Sequence, residues 1–255
     1  MSGSGRDGDG RGRLGSLLSG LAVAVGCVLF LGGFGWAAVV YKPYTVPTDS
    51  MSPTVEAGDR VLAQRISDDE VRRGDVVVFT DPAWGNMPMV KRVVGIGGDE
   101  VACCDADGRL TVNGEPIDEP YVHAIDMGAT SGPQRRASPQ DFTAKVPEGE
   151  LFLLGDERAT SLDSRVHLED AGGGSVPGSA VQARVDAVAW PFDGMIGRPQ
   201  AFAALPGGVS SAGPLYAQLG AIVAGVVLIL AGSAYGPLAA RTGKRRGSKA
   251  AAGVR

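Results

Sequence analysis

The sequence predicts a mainly β protein: an antiparallel β-sheet domain on the outer face of a membrane, flanked by two transmembrane α-helices. Three observations lead there. Leu17 to Val40 and Leu215 to Ala240 hold no charged residue. At 24 and 26 residues, each exceeds the roughly 20 helical residues that cross a hydrocarbon core about 30 Å thick. Between them the chain breaks into short β-branched runs separated by Gly, Asp and Pro, the pattern of strands and turns. No long stretch of that middle repeats its apolar residues every 3.6 positions, as an amphipathic helix would.

The first element is the N-terminal span. Its apolar run continues well past Cys27, longer than the apolar core of a cleaved secretory signal, so a retained anchor is expected. The first 13 residues carry a net +1 and the last 15 a net +6, while the whole chain is −4; the middle is therefore strongly acidic. Basic flanks around both spans place both termini in the cytoplasm by the positive-inside rule. An acidic central domain also excludes nucleic acid as its partner. The expected layout is a cytoplasmic tail over 1–16, a first span over 17–40 and an outer domain over 41–193. A small, nearly uncharged tether over 194–214, a second span over 215–240 and a basic cytoplasmic tail over 241–255 complete it.

Beyond Val40, Tyr41 to Pro47 reads as an extended strip leaving the membrane interface. Strands are expected at Arg60–Ala63, Asp75–Phe79, Met89–Ile96, Glu100–Cys103, Arg109–Val112, Leu151–Leu154 and Ala183–Trp190. Val112-Asn113-Gly114 signals a hairpin turn after the fifth. Asn113 to Glu150 holds five prolines and reads as a long surface excursion with room for one added hairpin. Cys103 and Cys104 are adjacent, and a bond between neighbours departs from ordinary disulfide geometry; two separate side chains on opposite faces of a strand are expected. No cysteine or histidine spacing suggests a metal site.

The chemistry is constrained by scarcity. There are two histidines, His123 and His167, neither in a triad context, and no G-x-S-x-G elbow is present. A lysine can replace histidine as a base if its amine is neutral near pH 7. Of the five lysines, Lys244 and Lys249 lie in the C-terminal tail, Lys42 beside the membrane and Lys145 in the polar excursion. Lys91 remains, in Met89-Val90-Lys91-Arg92-Val93-Val94. On a strand it shares a face with Met89 and Val93, and apolar surroundings penalise the ammonium and lower its pKa. Read alone, an edge-strand lysine with its head in solvent is the favoured reading, and Ser50 reads as an ordinary turn serine.

Four segments change that balance. Val46-Pro47-Thr48-Asp49-Ser50-Met51-Ser52-Pro53-Thr54, Arg73-Gly74-Asp75-Val76-Val77-Val78-Phe79, Lys91-Arg92-Val93-Val94-Gly95-Ile96-Gly97-Gly98-Asp99 and Gly155-Asp156-Glu157-Arg158-Ala159-Thr160-Ser161-Leu162-Asp163-Ser164-Arg165 resemble the conserved boxes of type I signal peptidases. They stand in that family's order after an N-terminal anchor, and the two-span layout resembles its actinobacterial branch. The resemblance covers roughly Tyr41 to Pro191. It implies Ser50 as nucleophile and Lys91 as general base. Thr48 falls at the hydroxyl that binds the oxyanion beside the backbone N–H of Ser50, and Ser161 at the hydroxyl that orients the lysine. Asp163 and Arg165 match a supporting ion pair. Neither cofactor nor metal is implied. The implied partners are exported preproteins with small residues at −1 and −3 of the cut, with the export machinery as a candidate partner, in the cell membrane. Shallow pockets around Val46 to Met51 and the Met89 strand would take those small residues, and Met51 is a candidate for contact with the interface. Glu157 departs from the family, which usually has asparagine there. The departure keeps open a membrane-anchored β domain, inactive or divergent, that acts in binding or assembly. It also leaves Arg158 as a candidate partner for Glu157.

Overall fold

The computed structural model describes residues 9–123, 125–126 and 135–252. The chain divides into two units, one formed by the terminal helices and one spanning Val40–Gly213. Helix α1 covers Asp9–Val40 and helix α2 covers Leu215–Ala252. Within them, Gly15–Val40 and Leu215–Tyr235 are long and apolar enough to cross a membrane. Both helices run further than the apolar stretches require: α1 begins inside the expected 1–16 tail, and α2 continues through most of the 241–255 tail. The two lie close together because glycines face each other. A side chain on Gly26 would meet the backbone of Gly225 and Ile229, and one on Gly225 would meet the backbone of Gly26 and Phe30. Small residues that let backbones approach are the usual adhesive between helices in lipid. Ser19 adds a hydrogen bond to the Gly232 carbonyl at 2.6 Å.

Among its described residues the second unit has fourteen strands: β1 (Tyr41–Thr45), β2 (Arg60–Gln64), β3 (Val76–Phe79), β4 (Met89–Ile96), β5 (Glu100–Cys103), β6 (Leu110–Val112), β7 (Glu115–Pro116), β8 (Ile125–Asp126), β9 (Arg135–Arg136), β10 (Phe142–Lys145), β11 (Glu150–Leu154), β12 (Val176–Pro177), β13 (Val181–Trp190) and β14 (Gly194–Met195). The main sheet has the order β1-β2-β13-β3-β4-β11-β12, with β14 paired to β13. A second sheet has the order β10-β5-β6-β7, and β8 pairs with β9. All seven strands expected from the sequence are present, within two residues at each end. The extended strip at 41–45 is itself the edge strand β1, paired antiparallel to β2; an edge position is where a strand tolerates Pro43. Asn113 and Gly114 both take positive φ, the requirement of the tight hairpin turn that joins β6 to β7.

Three expectations need correction. The excursion is not a surface loop throughout: β10 pairs with β5, Phe142 stacks on Phe152, and Ile117, Ala144 and Val146 are buried in the same apolar cluster as Val94 and Leu110. Its apolar residues are too widely spaced among prolines to show a period, yet each finds the core. Second, Cys103 and Cys104 are joined in a disulfide across a cis peptide, which brings their Cα atoms to 3.0 Å. Third, Met51 is not at the surface; it is fully buried with Val46, Val55 and Val61.

The expected tether also does more than connect. Phe202 is buried, Arg73 donates to the Pro206 carbonyl at 2.6 Å, and Ser210 donates to Asp75. Beneath it, Asp186 accepts from Tyr41 at 2.8 Å and from Arg184 and Arg198. These charges are buried and mutually compensated, so removing one partner leaves the others stranded. Asp186→Ala should cost about 3–5 kcal/mol of stability, seen in denaturant unfolding of the full chain. It should also open residues 194–213 to limited proteolysis.

Candidate active site

The loop between β1 and β2 carries Thr48 and Ser50, and β4 carries Lys91. Their meeting follows from the sheet. β4 lies between β3 and β11, so Lys91 stands on an interior strand and not on an edge. It pairs in register with Val77, and Val77, Val93 and Met89 belong to one apolar cluster. Only 4% of Lys91 is exposed. Its Nζ donates to Ser50 Oγ at 2.7 Å, and the Thr48 hydroxyl donates to the same oxygen at 3.3 Å.

Burial is the dominant influence on the amine. Desolvation pulls the Lys91 pKa from 10.5 down to about 8, against the raising effect of Asp163 and Asp156 and with slight help from Arg165. The direction is that expected for an ammonium taken out of water. Once neutral, the amine has a lone pair facing Ser50 Oγ, and the hydrogen bond can reverse so that the hydroxyl donates.

The wall opposite is the turn after β11, and here geometry exceeds what the sequence predicted. Gly155 faces Ser161 Oγ and the Ser50 carbonyl so closely that a side chain would collide with both. Asp163 receives the Gly155 N–H at 3.0 Å and pairs with Arg165 through two bonds of 2.8 and 2.7 Å. Burial alone would raise the Asp163 pKa, but Arg165 and the backbone donors hold it below the ordinary value. Ser161 is buried, but among the described residues its Oγ has no hydrogen-bond partner; the structure places it at the wall without bonding it to Lys91. An unpaired buried hydroxyl is costly. Asp163 and Arg165 thus form the expected pair.

One residue, Arg92, goes beyond the sequence expectations, and another, Arg158, departs from its expected partner. Arg92 makes a buried two-pronged pair with Asp156 at 2.9 and 2.6 Å and donates to the Gly74 carbonyl at 2.8 Å. This pair stitches β4, the second box and the last box together. Arg158 does not pair with Glu157; it points inward to Glu119 at 2.8 and 2.7 Å. Glu157 instead gives its backbone N–H to the Ser50 carbonyl at 3.2 Å, while its carboxylate accepts from Ala159 N at 3.1 Å within its own turn. What this position supplies to Ser50 comes from the main chain, which any residue provides. Of the histidines, His167 stacks on Trp84 and bonds Asp170.

A hydroxyl against a buried, pKa-lowered amine has the parts that nucleophilic catalysis with a lysine base requires. The family model for signal peptidase, peptidase S26, matches residues 17–190, and the chain belongs to that family. It is 30% identical over 201 residues to a probable signal peptidase I of Mycobacterium leprae (strain TN), covering 60% of this chain and 69% of the relative. To signal peptidase I of Bacillus caldolyticus it is 35% identical over 162 residues, covering 60% and 81%. A crystal structure of a signal peptidase I from Enterococcus faecalis V583 is 26% identical, with a TM-score of 0.35, covering 50% of this chain and 97% of that one.

The cost of holding Lys91 in this setting is measurable. Its folded-state pKa lies below the unfolded value, so the unfolded chain binds more protons and stability rises with pH between about 8 and 10.5. Lys91→Met should therefore stabilise the protein at pH 7 by about 3 kcal/mol, following 1.36 kcal/mol per pKa unit. The gain should shrink as pH passes through that window, as read from denaturant unfolding at several pH values.

Proposed function

We propose that the protein is a membrane-bound serine endopeptidase that removes N-terminal signal peptides from exported preproteins, with Ser50 as nucleophile and Lys91 as general base. The observation that carries this reading is the 2.7 Å contact between Lys91 Nζ and Ser50 Oγ in a buried setting. Family membership supplies the reaction class.

Neutral Lys91 takes the hydroxyl proton as Ser50 Oγ attacks the scissile carbonyl. The Thr48 hydroxyl and the Ser50 N–H stabilise the oxyanion; one such donor is commonly worth about 2.7–4 kcal/mol. Lys91, now protonated, gives its proton to the leaving amine, and the signal peptide remains as an ester on Ser50. The same amine then activates a water, which releases the peptide and regenerates the hydroxyl. Ser161 Oγ, buried and unpaired among the described residues and facing Gly155 beside the Ser50 carbonyl, supports a role in orienting the amine. Val46 and Met51, buried members of the loop that carries Ser50, support the reading of shallow pockets for small residues at −1 and −3. The net +1 before the first span and net +6 after the second support cytoplasmic termini, with 41–193 on the outer face. Sharing one membrane with the substrate raises its effective concentration.

With a purified preprotein, Ser50→Ala and Lys91→Ala should each lower kcat/KM by about 10³-fold or more with the fold retained. Lys91→Arg should fail too, since guanidinium stays protonated. The wild-type pH profile of kcat/KM should rise through an acid limb near 8 and level off above it, because only the unprotonated amine acts as a base. Full activity of either alanine variant would sink the assignment. In intact cells, external protease should reach the 41–193 region and spare both tails; protection of that region would overturn the orientation.

A further inference from the structure

The excursion between β6 and β11 sends two side chains into the wall of the site. Glu119 is 6% exposed at its side chain and Arg158 is fully buried. Arg158 donates its Nε to the Gly155 carbonyl at 2.8 Å, while both its terminal nitrogens grip Glu119. Tyr121 donates its hydroxyl to the same carboxylate at 2.7 Å. Its ring lies 4.0 Å from the Arg92 guanidinium, and Arg92 in turn holds Asp156. Both arginines that brace the Gly155-Asp156 turn therefore lean on one short segment, Glu119-Pro120-Tyr121.

That turn is the surface against which the reacting pair is set. The carbonyl of Gly155 is held by Arg158 and its N–H by Asp163. A side chain on Gly155 would collide with the Ser50 carbonyl and Ser161 Oγ, and Glu157 N bonds the same Ser50 carbonyl. Arg165 ties the two halves together by donating to the Arg158 carbonyl at 2.9 Å. Burial works against ionising Glu119, yet Arg158 holds its pKa below the ordinary value, so the clamp is charged at neutral pH.

We propose that Glu119, with Tyr121, is a positioning residue for the Ser50–Lys91 pair, acting through Arg158, Arg92 and the Gly155 turn. This rests on the reading of Ser50 and Lys91 given above. A displacement of about 1 Å at a reacting pair can cost about 10²-fold in rate. A charged clamp is well suited to prevent that, because a neutral partner leaves the buried Arg158 under-compensated.

The test uses the full chain and a purified preprotein, with wild type, Glu119→Gln and Tyr121→Phe compared at a temperature where thermal melts show each to be folded. Glu119→Gln should lower kcat about 10–100-fold with KM changed less than about twofold. The acid limb of kcat/KM should move upward, because a loosened wall lets water reach Lys91. Loss of a negative charge by itself would move the limb downward, so the direction separates repositioning from simple electrostatics. Tyr121→Phe, which keeps the ring on Arg92, should show a smaller kcat loss with the limb moved the same way. If Glu119→Gln lowers only the melting temperature, with kcat and the limb unchanged, the clamp serves stability alone and the proposal is overturned. If Glu119→Gln does not fold, an unaltered kcat and limb in Tyr121→Phe overturns it equally. Failure of the underlying reading would show differently, as cleavage by wild type that survives Ser50→Ala.

Discussion

An amine kept out of water is the constraint around which the β unit is arranged. Lys91 has one charged head, and its burial on an interior strand between β3 and β11 makes the ammonium form unfavourable. Nothing else in the site needs to be chemically unusual. Ser50 is an ordinary hydroxyl 2.7 Å away, and the supporting groups are common ion pairs. The proposed mechanism requires water to be excluded from one lysine while the serine stays accessible, and a loop meeting an interior strand allows both.

The surroundings show how the exclusion is kept from turning into unpaired charge. Three arginines that brace the 155–165 wall are each matched by a carboxylate: Arg92 by Asp156, Arg158 by Glu119 and Arg165 by Asp163. Matched pairs leave little net field, so desolvation dominates the lysine. Were Asp163 or Asp156 unmatched, each would favour the ammonium more strongly and work against a neutral base. The ion pairs thus hold the turn at 155–161 in place and mute their own electrostatic effect on the amine.

Much of this was legible in the residues. The uncharged spans gave themselves away by length, and β-branched runs such as Val76–Phe79 and Met89–Ile96 form strands because they are buried on both faces. Lys91 stood out by elimination among five lysines, and Ser50 through its motif neighbours. What could not be read was everything that depends on long-range packing. The excursion's apolar residues, Ile117 and Phe142 among them, carry no period, so their burial was invisible. Arg158 could have joined its neighbour Glu157, but only the fold shows that it turns inward to a carboxylate 39 positions away. Gly155 looked like one glycine among 39, and its need to be glycine arises from Ser50 and Ser161 lying against it. The segment 194–213 seemed featureless because its anchors, Arg73, Asp75 and Asp186, lie elsewhere in the chain.

The protonation of Lys91 itself is the most direct measurement. Competitive acylation of the intact protein across pH, with the labelled lysine quantified by mass spectrometry, reports the midpoint at which this one amine becomes nucleophilic. A midpoint near 8 is expected, moving toward higher pH when the chain is unfolded. A midpoint at the ordinary lysine value of about 10.4 in the folded protein would leave well under about a thousandth of the amine neutral at pH 7, against roughly a tenth for a midpoint near 8, and it would contradict the central claim.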